Sequence, residues 1–150
     1  MIMAENKTYY IVSGGFDPLH EGHIQLITNA AEVSDGVIVL VNSDTWLCRK
    51  KGKNFQSITT RKIILEHIKG VVDVIEFDDS DESASDGIYK ARHKYPNDKL
   101  VFANGGDRRK DNIPEVQICQ KYDIDLAFGV GGDYKANSSS WILKKWEEKD

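Results

Sequence analysis

Five short apolar runs alternate with stretches whose apolar residues recur at helical spacing, and no other feature of the chain restricts its fold as much. The runs lie near 9–13, 36–42, 72–77, 99–103 and 125–130, and the helical stretches near 21–33, 59–69, 87–95, 113–122 and 139–147. Strand, helix and strand in repetition read as βαβ units, which build a parallel sheet with helices on its faces. In the first helical stretch Ile24, Leu26, Ile27, Ala30 and Ala31 form the core-facing stripe. In the second, Ile64, Leu65 and Ile68 bury one side and Gly70 is a natural stop. The expected architecture is an α/β three-layer sandwich with a mainly parallel five-stranded sheet, its ligands gathered where the strand order reverses.

Length and charge narrow the function classes. A chain of 150 residues, 40% hydrophobic, suits a single domain over 1–150 with one packed core. The formal net charge of −4 argues against a general nucleic-acid binder, which would carry a basic surface. No apolar run reaches the roughly 20 residues of a membrane span, and the N-terminus shows no charged-then-apolar secretory pattern. Two cysteines, Cys48 and Cys119, lie far apart and supply no disulfide framework. A cytoplasmic protein is expected.

The run Ser13 to His23, S-G-G-F-D-P-L-H-E-G-H, joins the first strand to the first helix. Gly14 and Gly15 remove side chains where the strand turns, so that backbone N–H groups can cradle an anion. Asp17-Pro18 redirects the chain, and a helix can start soon after. His20 and His23, three apart, then share one face of the first helical turn, with Gly22 between them. The helix N-terminus adds partial positive charge and free N–H donors at the same place. An isolated H-x-x-H also fits two surface polar residues or half of a metal site. The cysteines offer no C-x-x-C partner for zinc, and the strand-turn-helix setting favours phosphate.

Two basic clusters follow apolar runs. Arg49, Lys50, Lys51 and Lys53 crowd into five positions, and Arg108-Arg109-Lys110 follow a Gly-Gly-Asp sequence. Either could be a solvated charged face; after strands of an open α/β sheet, part of each reads as phosphate-directed. Residues 76–86 carry six carboxylates and nothing bulky and apolar after Phe77, which predicts a solvated loop. The D-x-[DN]-x-[DN]-G pattern of a calcium loop is absent from it.

The run G-G-F-D-P-L-H-E-G-H resembles the H-x-G-H signature of the nucleotidyltransferase superfamily that includes glycerol-3-phosphate cytidylyltransferase and heptose-1-phosphate adenylyltransferase. The segment Val41 to Arg61 is similar in spacing to that family's second-strand Asp, Lys-Gly loop and helix-opening Arg. Asn104-Gly105-Gly106-Asp107 resembles its G-G-D-W loop, and Asn137-Ser138-Ser139-Ser140-Trp141-Ile142 its I-S-T-T-x-I element. These four motifs stand in family order and cover nearly the whole chain. The resemblance implies a Rossmann-like fold and transfer of NMP from CTP or ATP to a small phosphorylated alcohol or sugar, with release of pyrophosphate. It implies catalytic roles for His20, His23 and Lys51. It implies nucleotide binding by Ser13, Gly14, Gly15, Phe16, Asp17, Gly22, Gly105, Gly106, Asp107, Ser138, Ser139 and Ser140. Lys50, Lys53 and Arg61 would bind the second substrate, Mg²⁺ would arrive with the NTP, and the assembly would be a homodimer, with Trp141, Ile142, Leu143 and Trp146 as its apolar hint.

The chemistry suits a site without a classical triad. A phosphate monoester, its second pKa about 6, is already ionised at neutral pH and needs no general base. What remains is to align it with the NTP α-phosphate and to stabilise developing charge. Two departures from the family pattern stand out. Asp133 occupies the place of the arginine that precedes the last motif in cytidylyltransferases, and Lys69 replaces another arginine. Lys135 lacks the bidentate geometry of a guanidinium. The alternative is therefore a catalytically weak or inactive nucleotide-binding module. A class I aminoacyl-tRNA synthetase fragment would share H-x-G-H, but 150 residues leave no anticodon-binding part.

Overall fold

The computed structural model describes residues 6–103, 113–128 and 144–145. The strands are β1 Thr8–Gly14, β2 Gly36–Val41, β3 Val71–Glu76, β4 Lys99–Ala103 and β5 Asp125–Ala127. The helices are α1 Glu21–Glu32, α2 Asp44–Lys51, α3 Ile58–Glu66, α4 Ser85–Lys94 and α5 Val116–Lys121. All strand pairs are parallel and the order across the sheet is β3-β2-β1-β4-β5. The chain moves outward from β1 through β2 to β3, then returns to the other side of β1 for β4 and β5. That reversal makes the carboxyl ends of β1 and β4 the switch point, where open α/β sheets bind ligands. The expected Rossmann-like sandwich is the fold observed. The helix expected over 139–147 falls outside the described residues except for 144–145, which are helical.

Each sheet face is covered, and the two-residue period of a strand sorts its side chains between two cores. On β2, Val37, Val39 and Val41 point toward α1 and α3, where they meet Ile27, Ala30 and Leu65. Ile38 and Leu40 point the other way and join Ile11, Phe102, Ile88, Ala91 and Cys119 beneath α4 and α5. All six β2 residues are buried, as a central strand covered on both faces requires. The stripe expected on α1 is buried at Ile27 and Ala30 and partly buried at Leu26 and Ala31, but Ile24 is exposed. Gly70 ends the α3 segment at φ +95, and a Cβ there would also lie 2.8 Å from the Cβ of Ala31.

The Lys-rich stretch proves helical, and the acidic segment departs from the solvated loop that composition predicts. The Lys-rich stretch after β2 is the helix α2, capped by Ser43, whose Oγ accepts from the Trp46 N–H, and closed by Gly52 at φ +88. The acidic segment after β3 is not simply a solvated loop. Phe77, Asp79, Ser83 and Ala84 are buried, and Ser85-Asp86 already belong to α4. Among the described residues no helix is long and apolar enough to cross a membrane.

Truncation should distinguish core from rim. Leu40→Ala empties a fully buried site and should cost about 2–5 kcal/mol, whereas Val33→Ala, with its side chain largely exposed, should stay within about 0.5 kcal/mol. Urea unfolding followed by circular dichroism measures both; similar costs for the two would contradict this assignment of the core.

Candidate active site

The turn that leaves β1 gathers the sequence-predicted residues at the carboxyl edge of the sheet. Ser13 and Gly14 end β1, paired in register with Leu40 and Val41 of β2. Gly15 follows, and a Cβ there would sit 2.8 Å from Cδ2 of Leu47, so the residue must be bare for α2 to pack against the turn. Phe16 adopts φ 52 and buries its ring under Gly14.

His20 and His23 are held by backbone donors. His20 is the N-cap of α1, in extended conformation rather than within the helix, and its Nδ1 accepts from the Gly22 N–H at 3.0 Å. His23, at the third helical position, accepts from the His20 N–H at 3.3 Å through its own Nδ1. This reciprocal capping satisfies two of the orphan N–H groups of a helix start. It also fixes the tautomers, because a neutral ring that accepts at Nδ1 carries its proton on Nε2. The rings stack with centroids 3.9 Å apart, and Phe16 meets His23 edge-on at 4.9 Å. Burial first, then electrostatic interaction with His20 and Lys51, lowers the His23 pKa from its ordinary 6.5 to about 3. His23 is therefore a neutral hydrogen-bond donor at physiological pH. Lys51, in the last turn of α2, thus lies near enough to His23 to act on it electrostatically.

Arg61 and Asp17 serve the site by holding its loops. Arg61, expected to bind substrate from the start of α3, has a side chain with no solvent exposure. Its Nε donates to the Gln56 carbonyl at 3.1 Å, and Nη1 donates to the carbonyls of Gly15 at 2.9 Å and Asn42 at 2.6 Å. Nη2 donates to the Asp44 carboxylate at 2.6 Å. A guanidinium so committed is scaffold, which corrects its assignment to the second substrate. Asp17 is buried too, its carboxylate accepting from the N–H groups of Phe55 at 2.6 Å and Gln56 at 2.7 Å. It clamps the Lys53–Gln56 segment to the glycine turn, so its contribution to a nucleotide cradle is made through that segment.

The lysines lie along the other wall. Lys50 is exposed, with its ammonium 4.7 Å from the centroid of the Trp46 ring, and Lys53 is exposed just beyond Gly52. Lysines in the last turn of α2 also complement the negative end of its dipole. Gly105, Gly106, Asp107, Ser138, Ser139 and Ser140, like Asp133, lie outside the described residues. The sequence reading passed over Asn42 and Asp79. Asn42 donates from its backbone N–H to the Gly14 carbonyl, while its side chain donates to buried Asp79. The signal for Asn42 was a polar residue directly after a fully apolar strand; Asp79 gave none.

The donor set of the site offers a metal ion little. Among the described residues no group of three His, Cys, Asp or Glu side chains could hold an ion. The site presents imidazoles and ammonium groups; Asp17 and Asp44 are engaged by backbone N–H groups and by Arg61, which leaves Glu21, exposed in the first turn of α1, as the carboxylate beside the histidines. Such a surface suits a polyanion that brings its own divalent ion.

Two outcomes follow from this geometry. Arg61→Lys keeps a charge but cannot reach four acceptors, and should lower stability by about 3 kcal/mol, as expected for a broken buried network; denaturant midpoints measure it, and a change below about 1 kcal/mol would refute the scaffold role. His23 refuses a proton that the unfolded chain accepts below pH 6.5, so stability should rise with pH from about 3 to 6.5 through this residue and be flat above. Replacing it by Gln should flatten that slope, and the wild-type His23 ring signals should show no titration between pH 5 and 8 by NMR.

Comparison with known proteins agrees with the geometry. The signature described as cytidylyltransferase-like matches residues 11–148. The bifunctional protein HldE of Escherichia coli is 30% identical over 132 residues, covering 77% of this chain and 28% of that protein. Glycerol-3-phosphate cytidylyltransferase of Bacillus subtilis is 40% identical over 65 residues, covering 43% of this chain and 50% of that one. The chain thus spans well under a third of HldE. Among solved structures, a lipopolysaccharide core biosynthesis protein from Thermoplasma volcanium superposes with a TM-score of 0.63 at 20% identity, over 87% of this chain and 100% of that one. A bifunctional NMN adenylyltransferase/ADP ribose pyrophosphatase from Francisella tularensis, complexed with AMP and Mn ion, gives 0.67 at 18% identity, over 93% of this chain and 41% of that one. These two likenesses show the fold. By the family signature, over a sheet and a glycine-histidine turn built as described, this chain belongs to the cytidylyltransferase-like family of nucleotidyltransferases.

Proposed function

We propose that the protein transfers NMP from CTP or ATP to a small phosphorylated alcohol or sugar and releases pyrophosphate. The observation that carries this reading is the pair of stacked imidazoles at the start of α1, each accepting a backbone N–H at Nδ1 and so presenting Nε2 outward, next to a bare glycine turn and within electrostatic reach of Lys51. An ionised phosphate oxygen of the acceptor forms a bond to the NTP α-phosphorus, and the bond from that phosphorus to the bridging oxygen breaks. Pyrophosphate leaves with the electron pair, and no proton need move to a protein base. His20 and His23 donate to oxygens that gain charge at the transition state, and Lys51 neutralises the phosphates from the facing wall. The name of the similar glycerol-3-phosphate cytidylyltransferase supports the acceptor class.

Mg²⁺ enters this reading as part of the NTP substrate, in keeping with the shortage of uncommitted carboxylates. A cytoplasmic homodimer completes it, on the strength of the family resemblance. A second reading, a nucleotide-binding module without turnover, draws on Asp133 standing where the family has arginine. The placement of Lys51 beside His23 favours the enzyme.

A pyrophosphate-release screen crossing four NTPs with phosphorylated alcohols and sugars, with and without Mg²⁺, decides between them. Turnover is expected with CTP or ATP; nucleotide binding by calorimetry without turnover would select the module. In the active pair, His23→Ala and Lys51→Ala should each slow single turnover about 10²–10³-fold while both variants remain folded. A variant that keeps its rate removes that residue from the mechanism.

A further inference from the structure

We propose that Asp79, on the segment after β3, is a positioning residue for the phosphate-directed lysines of α2; the inference rests on the function proposed above. Asp79 is buried, at 4% exposure, and its carboxylate takes three hydrogen bonds from the residues that start α2. One oxygen accepts from Asn42 Nδ2 at 3.0 Å and from the Ser43 N–H at 2.8 Å, and the other from Ser43 Oγ at 2.8 Å. Ser43 Oγ is itself the N-cap acceptor for Trp46. The hydroxyl can accept from the helix only with its proton turned elsewhere, and Asp79 takes that proton.

The same residue grips α2 a second time. Its backbone carbonyl accepts from Arg49 Nη2 at 3.1 Å, while Arg49 Nε pairs with Glu82 at 3.0 Å. Ser43 and Arg49 lie at opposite ends of an eight-residue helix with a single buried side chain, Leu47. So little apolar burial cannot by itself set the rotation of the helix about its axis; two polar attachments can. Lys50 and Lys51 follow directly on Arg49, and Asn42 carries the linkage on to Gly14 and Arg61. A misplacement of about 1 Å at a reacting group can cost about 10²-fold in rate.

The experiment is a double-mutant cycle read in single turnover with saturating Mg·NTP and the acceptor found in the screen. Asp79→Ala should slow transfer at least tenfold in the wild-type background and less than twofold in Lys51→Ala, because the lysine through which it acts is gone. Asp79→Asn can retain the acceptor for Asn42 and the Ser43 N–H, and should recover part of the rate even where Asp79→Ala is poorly folded. Equal losses in both backgrounds, or no recovery by Asp79→Asn at unchanged Tm, would overturn the positioning role. A wild-type protein without turnover would instead defeat the proposed function, and this inference with it.

Discussion

The buried guanidinium of Arg61 is the interaction on which the rest of the site depends. It lies where three pieces of chain must meet: the glycine turn after β1, the exit from β2 and the segment entering α3. Each offers a carbonyl with no partner in the sheet, and Arg61 donates to all three, those of Gly15, Asn42 and Gln56. Asp44 then offsets the charge. A planar group with donors in fixed directions suits such a junction, since one rotamer satisfies several acceptors at once. Removing it would leave three carbonyls and a carboxylate to find water in a place that excludes it.

Around that junction, backbone groups set the chemistry of the side chains. The helix start of α1 would leave N–H groups unsatisfied, and two imidazoles take them up through Nδ1. The other nitrogen of each ring is thereby made a donor. Burial and the nearby Lys51 keep His23 neutral, so the residue contributes a directed hydrogen bond rather than a charge. Positive charge comes instead from lysines on a separate element, at the end of α2 where the helix dipole favours it. Directional donors and mobile cations thus sit on different supports.

The sheet and four of its helices were legible in the sequence because burial imposes a period there. β2 is apolar throughout because helices cover both its faces, and α1 and α3 repeat their apolar residues every third or fourth position. α2 escaped that reading because it buries only Leu47 and has no stripe to detect. Its ends were nonetheless marked: Ser43 as cap, Asp44 in the first turn, basic residues in the last and Gly52 after it. The motif residues His20, Gly22 and His23 were found, but their division between cap and helix depends on geometry. The long-range partners of Asp17, Arg61 and Asp79 escaped that reading for one shared reason. These partners lie 17 to 46 residues away in sequence, and composition cannot tell a solvated carboxylate from one that closes a long-range junction.

Those buried charged groups also bear on what the site can bind. Asp17 and Asp79 each accept from backbone N–H groups, and Asp44 is opposite Arg61, so the acidic side chains nearest the turn are occupied in holding loops. What the turn presents outward is bare backbone, two imidazole donors and the lysines. An electrostatic surface of that kind attracts anions and offers a divalent cation little unless the anion has already bound it. The carboxylates contribute by keeping α1, α2 and the intervening turn in fixed relation, which is the condition for donors on separate elements to converge on one bound group.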